Sequence, residues 1–132
     1  MGNGSAFKDG KVGTQYLSNE SIVGIKIIQK VGKKEGDSDN TPMYSHTPNT
    51  MYAIRDKDTL KVDQVAVYEA IPGSKYGRKI KDIEWGHDHD PFKKGEVHVQ
   101  DYIDGVRQKT PRVPTEEEKQ IAEEIRSADG QG

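Results

Sequence analysis

Apolar and polar residues alternate over several short windows of this chain, and each window ends in turn-forming residues. "VDQVAVYEA" (62–70) is the clearest strand signal, with Val65 and Val67 on one parity and Ala66 and Tyr68 on the other. "EVHVQDYI" (96–103) predicts another, with Val97 and Val99 on one face and Glu96, His98, Gln100 and Tyr102 on the opposite one. Residues 50–55 predict a third. "SIVGIKIIQKV" (21–31) is rich in Ile and Val and predicts a fourth, since Val23, Ile25 and Ile27 share a parity opposite Lys26. A helical reading of Ile22, Ile25 and Ile28 is weakened by Gly24. In "RKIKDIEW" (78–85), Ile80 is out of phase with Ile83 and Trp85, which predicts a bulge or a partial strand.

"DKDTLK" (56–61) and "IPGSKYG" (71–77) read as turns, the second through Pro72-Gly73. Connections this short favour an antiparallel meander. "VPTEEEKQIAEEIRSA" (113–128) predicts a helix. Thr115 is its N-cap, Glu118 completes a capping box, and Glu116 and Glu117 suit the positive helix end. Its apolar face is thin, consisting of Ile121, Ala122 and Ile125, which predicts weak docking or none. The expected fold is α+β: a small antiparallel sheet of three to five strands, a C-terminal helix and a flexible N-terminal lead. The expected boundaries are 1–20 for the lead, 21–112 for the domain and 113–132 for the acidic helix and tail.

Composition narrows this picture. The chain has 132 residues, of which 31% are hydrophobic and 32% charged. That is poor for a globular core and predicts a folded unit of about 80–90 residues. There is no cysteine, which excludes disulfides, thiolate metal sites and cysteine nucleophiles. No apolar run reaches the ~18 residues of a membrane span, and the first residues lack the apolar stretch of a secretory signal. The net charge of −2 comes from the tail: residues 113–132 carry two basic and six acidic groups. The middle of the chain is near neutral and neither announces nor forbids a nucleic-acid partner.

The chemistry concentrates in "GHDHDPFKKGEVHVQDY" (86–102), which holds His87, His89 and His98, three of the four histidines. Histidine titrates near neutral pH and suits both acid and base roles. His87 or His89 with His98 could supply that pair for RNA cleavage. Lys93 or Lys94 would then meet the phosphate, and Tyr102, Tyr76 or Trp85 could stack an unpaired base. No cofactor is needed for this chemistry. The same three histidines also suit a divalent metal such as zinc, because His-x-His on an extended chain points both rings to one side. A third reading makes 86–95 a solvated loop bounded by Gly and Pro, with His98 an exposed strand residue and Trp85 a core anchor.

The central segment resembles the C-terminal toxin domains of bacterial polymorphic toxins of the Rhs and contact-dependent type. The pieces that carry the likeness are "TPNTMYAIRDKD", "QVAVYEA", "IKDIEWGHDHDP" and "GEVHVQDY", spanning roughly 46–105. The resemblance implies a ribonuclease that is delivered into a target cell, acts in its cytoplasm and is neutralised by a cognate immunity protein. It implies functional roles for Asp82, His87, His89 and His98. The family pattern often has a second histidine two residues after the one matched by His98; here that position is Gln100. The expected function is therefore a histidine-dependent endoribonuclease, with catalytic His87, His89 and His98 and substrate-binding Lys93, Lys94, Tyr102 and Asp82. The alternative is a non-enzymatic binding module of a phage or secreted bacterial protein. An enzyme needs the histidines to converge in a cleft bordered by positive charge; a binding module does not.

Overall fold

The computed structural model describes residues 7–8, 15–31, 41–56, 59–86 and 91–131. Among them, nine strands and one helix follow in the order β1 (Phe7–Lys8), β2 (Gln15–Ile22), β3 (Ile25–Val31), β4 (Tyr44–Ser45), β5 (Met51–Arg55), β6 (Val62–Ala70), β7 (Gly77–Glu84), β8 (His98–Ile103), β9 (Val106–Arg107) and α1 (Glu116–Ala128). Strands β1 to β8 form one mixed sheet, and β9 extends it by pairing with the end of β8.

The α+β class holds, but the expected three to five antiparallel strands are too few. The apolar run 21–31 is not one strand. Val23 and Gly24 take positive φ, 45° and 81°, and turn the chain back so that β2 and β3 form a hairpin. Residues 1–20, where no strand was expected, contribute β1 and most of β2. The two-residue strands β1, β4 and β9 are too short to show alternation. Nor is the sheet wholly antiparallel. The connection from β3 to β5 carries β4 to a different edge, beside β7, and the chain returns to lie parallel to β3.

The predicted meander is present as β5, β6, β7 and β8, each antiparallel to the next. Strand β7 is paired along both edges. One edge meets β6; the other meets β4 at its start and β8 at its end. Its register with β6 shifts: Val67 is opposite Lys81 but Tyr68 is opposite Lys79, so Ile80 is the extra residue of a bulge.

The two faces of the sheet differ. On one, Ile25, Ile27, Ala53, Val65, Ile83, Trp85 and Val99 pack with Val62 against Ala122 and Ile125 of α1. Trp85 is the core anchor expected of it. The other face carries the smaller apolar cluster of Ile28, Tyr52, Ile54, Ala66 and Tyr68, with a row of polar side chains beside it.

Helix α1 docks firmly, contrary to its thin apolar face. Ala122 and Ile125 are completely buried, and so, nearly, is Glu118. The capping box forms as expected, with Thr115 and Glu118 exchanging side-chain to backbone bonds. The Glu118 carboxylate also accepts from Lys81 Nζ at 2.6 Å and from both terminal nitrogens of Arg112 at 2.9 Å. Arg112 in turn binds Asp101 of β8. Ion pairs thus supply what the apolar stripe lacks. At the other end of the helix, Asp129 accepts from the Val62 amide and pairs with Arg55 at 3.2 Å.

Burial alone would raise the Glu118 pKa, but Arg112, Lys81 and the Thr115 amide outweigh it and hold the group at about 2. A carboxylate depressed in the folded state stabilises the fold above its unfolded pKa and loses that contribution as pH falls toward the folded value. We expect Glu118→Gln to cost on the order of 3 kcal/mol at pH 7 and to flatten the loss of stability between about pH 4.5 and 2, read by urea denaturation across that range. A second prediction concerns the strained turn. Val23 is β-branched, exposed and in the left-handed region, so Val23→Asn should raise stability by about 1 kcal/mol, seen as a higher urea midpoint at unchanged slope.

Candidate functional site

The polar row lies on the sheet face opposite α1. Pairing of β7 with β8 sets Glu84 against His98 and Asp82 against Gln100, while Ile83 and Val99 point to the helix side. The bulge at Ile80 turns Lys79 onto the same face as Asp82 and Glu84, which parity counting alone does not allow. Lys79, Asp82, Glu84, His98 and Gln100 are all buried. Tyr102, the next residue of this parity, is half-buried.

Asp82 is held from two sides. Thr41 Oγ1 donates to Oδ1 at 2.9 Å, and Lys79 Nζ lies 3.0 Å from Oδ2. Lys79 also donates to Thr41 Oγ1 at 2.8 Å and stands 4.5 Å from the centre of the Tyr102 ring. Burial pushes Asp82 above the usual carboxylate range; Lys79 opposes this and the neighbouring Glu84 adds to it. Burial, then the Asp82 charge, push the Tyr102 phenol up to about 12, so it stays a neutral donor.

His98 is completely buried, not an exposed strand residue. Its Nδ1 lies 3.2 Å from the Glu96 carbonyl oxygen, and its Nε2 lies 3.6 Å from Glu84 Oε1, an ion-pair separation. Phe92 stacks on the ring with centroids 5.4 Å apart and planes 19° from parallel. Burial alone would lower the His98 pKa; the Glu84 carboxylate and the Glu96 carbonyl outweigh it and raise it.

The histidine-rich loop springs from this strand end. Gly86 begins it because no other residue fits: a Cβ there would stand 2.4 Å from Asp63 Cβ. The Gly95 amide donates to the Trp85 carbonyl at 2.9 Å and closes the loop at its base. His87 and His89 lie outside the described residues. Lys93 and Lys94 are exposed on the returning arm, and the Lys93 amide donates to the Glu96 carboxylate at 2.7 Å.

Of the expected site residues, the structure thus brings Asp82, His98 and Tyr102 onto one sheet face and leaves Lys93 and Lys94 exposed on the returning arm of the loop. Asp82 sits within β7, inside an ion pair with Lys79. Lys79, Glu84 and Thr41 were not expected. Glu84 is visible in retrospect, two residues from Asp82 on the same strand, whereas Lys79 is hidden by the bulge and Thr41 is remote in sequence. Gln100 is buried with Nε2 donating to the Gln108 carbonyl, and its Oε1 has no hydrogen-bond partner among the described residues.

In the metal reading the donor atom of His98 is Nε2, because Nδ1 faces the Glu96 carbonyl. Among the described residues, no three His, Asp or Glu side chains converge as a metal site.

Compared with protein-family models, with curated proteins and with solved structures, the chain finds no match. The resemblance to polymorphic toxin domains therefore rests on its own motifs.

The buried Lys79–Asp82 pair makes a direct prediction. Removing one partner of a buried ion pair strands the other charge, at a cost of about 3–5 kcal/mol. Lys79→Met alone should therefore be strongly destabilising in urea denaturation, whereas the double variant Lys79→Met/Asp82→Asn should recover most of the loss.

Proposed function

We propose that this chain is the effector domain of a bacterial toxin, acting as a histidine-dependent endoribonuclease on RNA in the cytoplasm of a target cell. The observation that carries the reading is the Glu84–His98 pair. Two titratable groups are buried side by side at the root of a loop that holds two more histidines and two exposed lysines. Perturbed ionisable groups held without solvent are costly, and they gather where proton transfer is the task.

The chemistry follows from the residue types. Cleavage of RNA through its 2′-OH needs a base for that proton, an acid for the departing 5′-oxygen, and cations for the phosphate. His87, His89 and His98 are the candidates for acid and base. Lys93 and Lys94 are the candidates for the phosphate. Tyr102, half-exposed and backed by Lys79, offers a ring for an unpaired base. Asp82 anchors Tyr102 and Lys79 from behind, so its part in substrate binding is indirect. A cognate immunity protein is the expected partner. Among the described residues no helix is long and apolar enough to cross a membrane.

A second reading, the non-enzymatic binding module, is favoured by the burial of His98. Phe92 stacks on its ring, and the side chain is buried out of reach of RNA in this arrangement. The zinc-dependent variant of the enzyme reading uses His87, His89 and the Nε2 nitrogen of His98 as ligands.

The deciding assay is cleavage of total tRNA by purified protein in EDTA, repeated with zinc or magnesium. Cleavage in EDTA that falls 10²- to 10⁴-fold in His98→Ala supports metal-independent acid–base catalysis. Cleavage only with added metal promotes the ligand reading. If neither the wild type nor Gln100→His cleaves under any condition, the chain is the binding module.

A further inference from the structure

Strand β8 carries His98, Gln100 and Tyr102 on one face, and of the three only Tyr102 reaches solvent. Its ring is fixed from the protein side. Lys79 Nζ stands over it, 4.5 Å from its centre, and Lys79 is itself held by Asp82 at 3.0 Å and by Thr41 at 2.8 Å. The phenol is pushed up to about 12, first by burial and then by the Asp82 charge, while the Arg107 charge opposes them. The ring is therefore neutral, anchored and half-open to water.

Arg107 is the second element of this place. It pairs directly opposite Tyr102 across the β8–β9 hairpin, so both side chains leave the same face of the sheet. The hairpin is tightly closed, because Asp104 and Gly105 take φ of 52° and 81°, the left-handed pair of a short hairpin turn. Arg107 is exposed, and among the described residues it has no ion-pair partner. Nearby cations are committed: Arg112 binds Asp101 and Glu118, Lys81 binds Glu118, and Arg78 faces Asp104 at 3.5 Å. A free guanidinium beside an anchored aromatic ring matches a nucleotide. The ring takes the base by stacking and the guanidinium takes the phosphate.

Position narrows the ligand further. A duplex keeps its bases stacked inward and offers no base face to Tyr102. Four residues of extended strand, about 13 Å, separate Tyr102 from His98 at the root of the loop. A single nucleotide held at Tyr102 does not reach the loop, whereas a longer unpaired strand does.

We infer that Tyr102 and Arg107 form a base-and-phosphate subsite for single-stranded RNA, set apart from the histidine-rich loop, which grips the substrate away from the bond that is cut. The identity of the ligand as RNA rests on the ribonuclease reading; the anchored ring, the free guanidinium and their shared face do not.

The test is binding, kept separate from cleavage. A fluorescent single-stranded oligonucleotide with 2′-O-methyl riboses lacks the 2′-OH nucleophile, so it binds without being cut. Its affinity for the full chain is measured by fluorescence anisotropy over a range of salt concentrations. Tyr102→Leu should weaken binding about 5- to 100-fold with the salt dependence unchanged. Tyr102→Phe, which keeps the ring, should bind like the wild type. Arg107→Gln should weaken binding and reduce the slope of log K against log salt by about 0.7, the value for one phosphate contact on a single strand. Arg107→Lys keeps the charge and should restore that slope. Should Tyr102→Leu fail to fold, an oligonucleotide of abasic sites replaces it, and the wild type should bind that probe more weakly by the same factor. No binding by the wild type overturns the inference. So do equal affinities and equal salt slopes in the wild type, Tyr102→Leu and Arg107→Gln; RNA cleavage that persists there leaves the ribonuclease reading standing. The expected binding changes without RNA cleavage under any condition would sink that reading and leave the subsite standing.

Discussion

The pairing of β7 along both its edges is the constraint on which the rest depends. Its outward edge is shared by β4 and β8, and its inward edge by β6. With both edges occupied, its register cannot slip without turning every side chain to the wrong face. That register sends Ile83 and Trp85 toward the helix and Asp82 and Glu84 away from it. Strand β8 follows in step, so Val99 joins the core and His98 and Gln100 join the polar row.

A polar row buried on a sheet face costs stability unless each charge is answered. Here the answers come from different parts of the chain. Thr41 arrives from the segment before β4, Lys79 through a bulge, Glu84 and His98 by cross-strand pairing, and Phe92 from the returning arm of the loop. A single replacement in such a set leaves a partner unsatisfied. That arrangement is expensive as architecture alone, which is the physical reason for looking to it for chemistry.

The opposite face solves a different problem. The helix has few large apolar residues, so its position is set by Ile125 and Ala122 in the core together with Glu118, which gathers Lys81 from β7 and Arg112 from the segment after β9. Asp129 and Gln131 then tie the chain end to the backbone of Val62. The acidity of the tail is thus partly structural: Glu118 and Asp129 are the fasteners, and the remaining glutamates face water.

Local sequence was enough for strands β5, β6 and β8, the bulge in β7, the capping box and the role of Trp85, because each depends on alternation, turn residues or spacing within a few positions. It was also enough to assign His98 and Gln100 to one strand face. The β2–β3 hairpin was not legible, since its turn uses Val23, a residue that disfavours the left-handed backbone. The two-residue strands carry no period to read. The parallel return of β5 beside β3, the company of Lys79 and Thr41 around Asp82, and the burial of His98 between Glu84 and Phe92 were decided only in three dimensions. Each joins residues through pairing or packing across the sheet, and no spacing along the chain encodes which edge a strand will find or which side chain will cover another.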